Sequence, residues 1–157
     1  MNAATLRLRL AGPEDAKRLF DWRNDSATRS ASLETGPLRW ETHLAWLENS
    51  LARVDRLLFI GEATRTDEPV GQVRLDERRA DQWEVSITIA PHLRGLGWST
   101  KLLQAAVDHL GPKVRLIARV RAENLRSMAL FETCGFLRIA ETDGVVTFSH
   151  AGQEAAA

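Results

Sequence analysis

The run Arg94-Gly95-Leu96-Gly97-Trp98-Ser99-Thr100 has the residue types and the place to hold a phosphate group. It follows Trp83-Glu84-Val85-Ser86-Ile87-Thr88-Ile89, whose β-branched, half-alternating residues predict a strand. It precedes Leu103, Ala106, Val107 and Leu110, an apolar stripe at helical spacing. Several backbone N–H groups therefore fall at a helix start, where unsatisfied donors and the positive dipole end suit a phosphate or pyrophosphate. Gly95 and Gly97 let a ligand approach the backbone with no Cβ in the way. No acid lies between Glu84 and the end of the turn, and Arg94 and Lys101 flank it. The same residues also read as an ordinary strand–loop–helix connection. They do not form a Walker loop, which needs Gly-Lys-Ser/Thr, or a dinucleotide fingerprint, which needs G-x-G-x-x-G at the start of a βαβ unit.

Other candidates stand elsewhere. Arg23 falls on the stripe made by Ala16, Leu19 and Phe20, with Asn24 and Asp25 ending that helix. It is either a helix-end cation bonded to the last carbonyls or a contact to substrate. His43 sits at the edge of the stripe Trp40, Leu44, Leu47, Leu51, as a packed, hydrogen-bonded ring or as a catalyst. Asn124, Ser127 and Phe131 share roughly a sixth of a helix circumference. Cys134 is expected at a helix C-terminus, which offers a thiolate no stabilisation, so it reads as structural.

The elements that must position these groups are legible in order. Leu6, Leu8 and Leu10 alternate with arginines as in a half-buried strand. Gly12-Pro13-Glu14-Asp15 opens a helix running to about Trp22. Residues 26–36 are polar, mobile or briefly helical, and a second helix spans about 38–51. Strands at 56–63 and 70–76 lead into the one at Trp83, three antiparallel strands joined by short turns. Asp76, Glu77, Arg78 and Arg79 read as a solvated hairpin tip. A strand at 113–121, a helix from Ala122 to the glycine cap Gly135, and a hairpin about Asp143-Gly144 complete the chain. Residues 1–150 are expected to form one domain, and 151–157 a frayed tail.

At 157 residues the chain suffices for one domain with a real core. Lysine plus arginine equals aspartate plus glutamate at 21 each, so no global field favours nucleic acid or an acidic membrane. The single cysteine allows no internal disulfide or cysteine-based metal site and fits a reducing compartment. The N-terminus lacks a signal-peptide apolar core, and no run approaches membrane-spanning length. The expectation is a cytoplasmic protein, monomer or homodimer, with no nucleic-acid or membrane partner and no metal.

Pro91-x-x-Arg94-Gly95-x-Gly97-x-Ser99-Thr100, after a strand and opening a helix, resembles the acetyl-coenzyme A signature of the GNAT superfamily of N-acetyltransferases. In that family the pattern is Arg/Gln-x-x-Gly-x-Gly/Ala, so Ser99 departs mildly at the last place. Asn124-x-x-Ser127, followed by Phe131-x-x-x-Gly135-Phe136, resembles the second family signature. The two span about 60 residues in the family's order. Trp22-Arg23-Asn24 and His43-x-x-Trp46 resemble more loosely a branch that includes acetyltransferases of nucleotide-linked amino sugars and grades into ribosomal-protein alanine N-acetyltransferases.

The resemblance implies an α/β fold of α+β type: a mixed, mostly antiparallel sheet of six or seven strands, splayed at a coenzyme cleft, with about four helices. It implies acetyl-CoA as co-substrate and a small-molecule amine as acceptor, attacked directly on the thioester. Ile87, Thr88 and Ile89 would pair with the pantetheine arm, and residues 94–100 would meet the pyrophosphate. Asn124, Arg126, Ser127 and Phe131 would also border the coenzyme, while Arg23, Asn24 and His43 would face the acceptor. Glu84, or else His43, would take the amine's proton. Many family members place an acid tyrosine where Phe131 stands, and this chain contains none; Ser127 or water would then serve the thiolate. A peptide N-terminal acetyltransferase and a non-catalytic coenzyme A sensor are the alternatives.

Overall fold

The computed structural model describes residues 5–151, so all but the first residue of the expected tail lies outside it. Strand β1 (Leu6–Leu10) leads through a 3-10 turn at Pro13–Asp15 into α1 (Ala16–Asn24). The brief helix anticipated in the polar stretch is α2 (Ser26–Ala31), capped by the Asp25 carboxylate on the Thr28 N–H. Then come α3 (Trp40–Ala52), β2 (Arg56–Ala63), β3 (Pro69–Arg79) and β4 (Gln82–Ile89). Helix α4 (Trp98–Leu110), β5 (Arg115–Arg121), α5 (Leu125–Thr133), β6 (Leu137–Thr142) and β7 (Val145–His150) follow. No described helix is long and apolar enough to cross a membrane.

The seven strands form one sheet in the order β1-β2-β3-β4-β5-β7-β6, the mixed, mostly antiparallel sheet that was expected. Its parallel neighbours, β4 and β5, are joined by α4, the crossover that parallel strands require. They pair only at Gln82–Arg115, Trp83–Leu116 and Glu84–Ile117. Beyond Glu84 the two strands part, and each keeps its partner on the far side, β3 for β4 and β7 for β5. The splay therefore exposes one backbone edge of β4 from Val85 onward.

Alternation splits the side chains between two cores. Val73, Leu75, Val85, Leu116, Ala118 and Val120 pack beneath α4 and α5. Leu58 and Ile60 pack on the other face with Ala16, Leu19, Trp22 and Leu47 of α1 and α3. Gly61 and Gly71 lie opposite each other in β2 and β3. A Cβ on either would come within 3.0 Å of a Leu102 methyl, so these glycines let α4 seat directly on the sheet. Leu102 is fully buried as a result, a contribution of about 1.5–3 kcal/mol. This seating fixes where the N-terminus of α4 points.

Two expectations are corrected here. In α3 the buried face is His43, Leu47 and Ser50, whereas Trp40, Leu44 and Leu51 are each more than a third exposed. The polar atoms of that face have buried partners: His43 Nε2 donates to the Ala16 carbonyl at 2.9 Å, and Ser50 Oγ accepts from Arg56 at 2.8 Å. Asp76 is not at a solvated tip. Strand β3 continues to Arg79, and Asp76 is 2% exposed with Arg56 and Arg74 on its two oxygens.

Candidate functional site

The turn before α4 is built around two left-handed residues, Gly95 at φ +78° and Gly97 at φ +88°. Gly97 is the N-cap and brings no side chain to satisfy the first-turn donors. The N–H groups of Gly95, Leu96 and Gly97 find no backbone acceptor among the described residues. A Cβ built on Gly95 or Gly97 meets nothing within 4 Å, so the turn is open at both glycines. The site needs glycine for its backbone conformation and offers the opening to a ligand. The Arg94 side chain turns away from it, bonded to Asp25 at 2.8 Å and to the Thr28 hydroxyl. Its guanidinium holds the Asp25 carboxyl below the usual aspartate range, with help from the Thr28 N–H. Lys101 stands beside the Trp98 ring, its Nζ 5.3 Å from the centroid.

Glu84 sits at the last β4–β5 pair, where the splay begins. Both of its oxygens are engaged: Arg78 bonds Oε1 at 2.9 and 3.0 Å, and Arg119 bonds Oε2 at 2.9 Å. Ile87, Thr88 and Ile89 lie on the unpaired stretch, half-buried.

Register places Gln72, Arg74 and Asp76 of β3 opposite Thr88, Ser86 and Glu84 of β4, all on the α1/α3 side of the sheet. Arg23 reaches over this polar face from α1. It does not cap its helix; its guanidinium carbon lies 3.9 Å from the centroid of the Trp46 ring. Its terminal nitrogen is 3.4 Å from His43 Nδ1. Burial, and then the charge of Arg74, push Arg23 down to about 10 despite Glu34, so it remains charged at neutral pH. Burial likewise lowers Arg74.

His43 is 1% exposed among Phe20, Trp40 and Trp46. Burial lowers its pKa, and with Nε2 donating to Ala16 its Nδ1 is the acceptor facing Arg23. No lone pair is left pointing toward the splay. The packed, hydrogen-bonded alternative describes this ring, and it orients Arg23. Asn24 is also occupied, its Oδ1 accepting from the Leu38 N–H at 2.9 Å.

On the other lip, Asn124 caps α5 by accepting from the Ser127 N–H at 3.2 Å. Ser127 is half-buried and its hydroxyl has no hydrogen-bond partner among the described residues. Arg126 is exposed. Phe131 departs from expectation: it is 5% exposed, its ring packed on Phe136 and Phe148 in the core. Its phase on α5 is that of Met128, the helix's other core residue. Burial pushes the Cys134 thiol up, in keeping with a structural residue. Helix α2 spans the mouth of the splay: Asp25 ties it to Arg94 after β4, and Arg121 and Asn124 bond the Ser32 and Ala31 carbonyls at 3.2 and 3.5 Å.

Residues 5–137 match the family model described as an acetyltransferase (GNAT) domain. This chain belongs to the GNAT family. A curated relative of this GNAT chain, an uncharacterised protein of Methanocaldococcus jannaschii, is 30% identical over 127 residues. The match covers 78% of the GNAT chain but 26% of the relative, so the chain spans about a quarter of that protein's length. Spermidine N-acetyltransferase of Vibrio cholerae, solved with CoA and spermine, has a TM-score of 0.85 at 20% identity, covering 98% of this chain and 99% of its own. An aminoglycoside acetyltransferase solved with coenzyme A gives 0.79 at 22% identity over 96% of each chain. A domain from Methanocaldococcus jannaschii gives 0.78 at 23% identity, covering 94% and 99%. Identities this low mark a shared GNAT fold.

The GNAT motifs led to the turn, the splay and the α5 cap. Sequence reading did not place Arg56, Arg74, Asp76 and Arg119 on the polar face beside Trp46. A signal was present in the alternation of Gln72, Arg74 and Asp76 with Val73 and Leu75, which puts three polar side chains on one face of a central strand.

Proposed function

We propose that this domain transfers the acetyl group of acetyl-CoA directly to a primary amine of a small molecule. The observation that carries the proposal is the parting of β4 from β5 after Glu84, beside an α4 N-terminus whose donors lack backbone acceptors and whose glycines are open. The N–H groups of residues 95–100 suit the pyrophosphate, with Lys101 and Arg126 for its charge. The free edge of β4 at Ile87, Thr88 and Ile89 suits the amide-bearing pantetheine arm. A β4 N–H near Ile89 would polarise the thioester carbonyl as an oxyanion hole does.

The neutral amine attacks the thioester carbon, so a C–N bond forms and the C–S bond breaks. The amine's proton leaves through water toward Glu84, the carboxylate at the head of the splay. The departing thiolate takes a hydrogen bond from the Ser127 hydroxyl. Trp22-Arg23-Asn24 and His43-x-x-Trp46 extend the reading to an amino-sugar nucleotide as acceptor. Neighbours of this fold solved with spermine or coenzyme A, a spermidine and an aminoglycoside acetyltransferase by name, support amine chemistry. Thiol release from acetyl-CoA, measured against amino sugars, amino-sugar nucleotides, polyamines and peptides, tests this. Thiol release matched by N-acetyl product is expected with a small amine. Coenzyme binding without turnover on any of them would make the domain a sensor.

A further inference from the structure

We infer that Arg23 and Arg74, backed by Arg56, form an anion subsite for the acceptor, so that the acetylated amine belongs to a molecule that also carries a carboxylate or phosphate. The inference rests on the proposed transfer reaction and names the class of substrate.

The polar face has a surplus of cations. Asp76 is shared by Arg56 at 2.6 Å and Arg74 at 3.0 Å, each through Nε. Arg56 spends a terminal nitrogen on Ser50, but the two terminal nitrogens of Arg74 have no partner among the described residues. Arg23 has no ion pair among the described residues; Glu34 acts on it only at longer range. Glu84, the other carboxylate of this face, is taken by Arg78 and Arg119. Five arginines thus stand around two carboxylates that are already paired.

These unspent donors converge. Arg23 and Arg56 lie against the same Trp46 ring, at 3.9 and 5.8 Å from its centroid. Beyond the effect of burial, the charges of Arg74 and Arg56 lower Arg23, and the charge of Arg56 lowers Arg74, so the three guanidinium groups are near neighbours. Half-burying the Arg23 guanidinium without an ion pair is unfavourable in the free protein, and an entering anion relieves it. Guanidinium forks match the oxygen pairs of carboxylate and phosphate. The subsite also lies where an acceptor would need it. Arg74 is paired with Ser86, so its Cα is roughly 5 Å from the β4 backbone just beyond the start of the splay. A polyamine, with a second cation to place on this face, would be repelled, although a fold neighbour bears the name spermidine N-acetyltransferase.

The test is calorimetry on the full chain saturated with CoA, so that the coenzyme's phosphate sites are filled. The probes are glucosamine, glucosamine 6-phosphate, glucosaminic acid and spermidine. At least one anionic amine is expected to bind tenfold or more tighter than glucosamine, with no heat from spermidine. The phosphate and carboxylate arms show which oxyanion is preferred. Arg23→Met and Arg74→Met should each weaken that binding at least tenfold while acetyl-CoA affinity is kept. If Arg74→Met unfolds through the loss at Asp76, Arg23→Met, whose guanidinium has no ion pair, answers the same question. Spermidine or glucosamine binding as tightly as both anionic amines, or no loss in the variants, overturns the subsite. An anionic amine held by the arginines but never acetylated would instead overturn the transfer reading. Spermidine acetylated with a KM unmoved by Arg23→Met would leave transfer standing and remove the subsite.

Discussion

The guanidinium carbon of Arg23 lies 3.9 Å from the centre of the Trp46 ring, with His43 at its edge. An arginine on an apolar helix face is thereby accommodated without a carboxylate, since its stem packs and its charge rests on an aromatic platform. Such a contact is worth roughly 0.5–2 kcal/mol. Trp46→Leu should therefore release the guanidinium and raise acceptor KM by about tenfold, about 1.4 kcal/mol, with acetyl-CoA affinity unchanged. Steady-state kinetics with each substrate varied in turn would show it, and an unchanged acceptor KM would make the stacking merely structural.

Glu84 tests the proton route. Glu84→Gln keeps the shape but cannot take a proton, and its single amide oxygen can accept from only one of Arg78 and Arg119. If Glu84 is the base, kcat should fall about a hundredfold, within the usual range for that role. The paired arginines also permit a strut, in which case turnover would survive and Tm would drop. His43→Gln is expected to act through Arg23 on acceptor KM, since its ring has no open lone pair toward the splay.

Ser127 bears on the missing tyrosine. Coenzyme A thiolate is a tolerable leaving group, a free thiol having a pKa of about 8.5. A hydrogen bond to the charged sulfur contributes about 1.5–3 kcal/mol. Ser127→Ala should then lower kcat roughly tenfold to a hundredfold at constant coenzyme affinity, each 1.36 kcal/mol being a factor of ten. Wild-type kcat in Ser127→Ala, measured where chemistry limits the rate, would leave solvent as the proton source.

The turn, the strand before it and the α5 cap were legible because each rests on local chemistry: glycines at left-handed positions, alternation, an asparagine before a helix; the sheet's arrangement came from the family resemblance. The polar face was not legible, because it is assembled from β2, β3, β4, β5, α1 and α3 by register. Nothing near Asp76 in sequence says that Arg56 is its partner; only the Arg56–Asp76 pairing of β2 and β3 does. The misjudged face of α3 has a similar cause. Leu47 belongs to both candidate stripes, and the choice fell to buried partners for His43 and Ser50 on other elements. Phe131 shares its helix face with Asn124 and Ser127 at one end and with Met128 at the other, so spacing alone did not decide whether it met ligand or core.

Asp25 gives a pH signature. Its folded pKa is depressed, first by Arg94 and then by the Thr28 N–H. Such a group contributes stability that is present above the ordinary aspartate value of about 3.9 and is lost as pH falls through the lower folded value. The tie between α2 and the turn should therefore persist through neutral and mildly acid pH and open only in stronger acid. Carboxyl NMR titration is expected to give Asp25 a midpoint below the ordinary aspartate range, moving upward in Arg94→Gln. A midpoint indifferent to Arg94→Gln would detach α2 from the turn.

The proposed transfer requires the coenzyme to lie over Gly97, and calorimetric titration of acetyl-CoA into Gly97→Val tests that directly. Gly111, at the other end of α4, also has positive φ and open space, so Gly111→Val carries backbone strain without touching the turn. Both substitutions should lower stability, by about 1–2 kcal/mol or more for a Cβ forced to positive φ. Only Gly97→Val is expected to weaken acetyl-CoA binding, by roughly tenfold or more, about 1.4 kcal/mol. Equal affinity in wild type, Gly97→Val and Gly111→Val, all folded, would contradict the placement of the coenzyme on this turn.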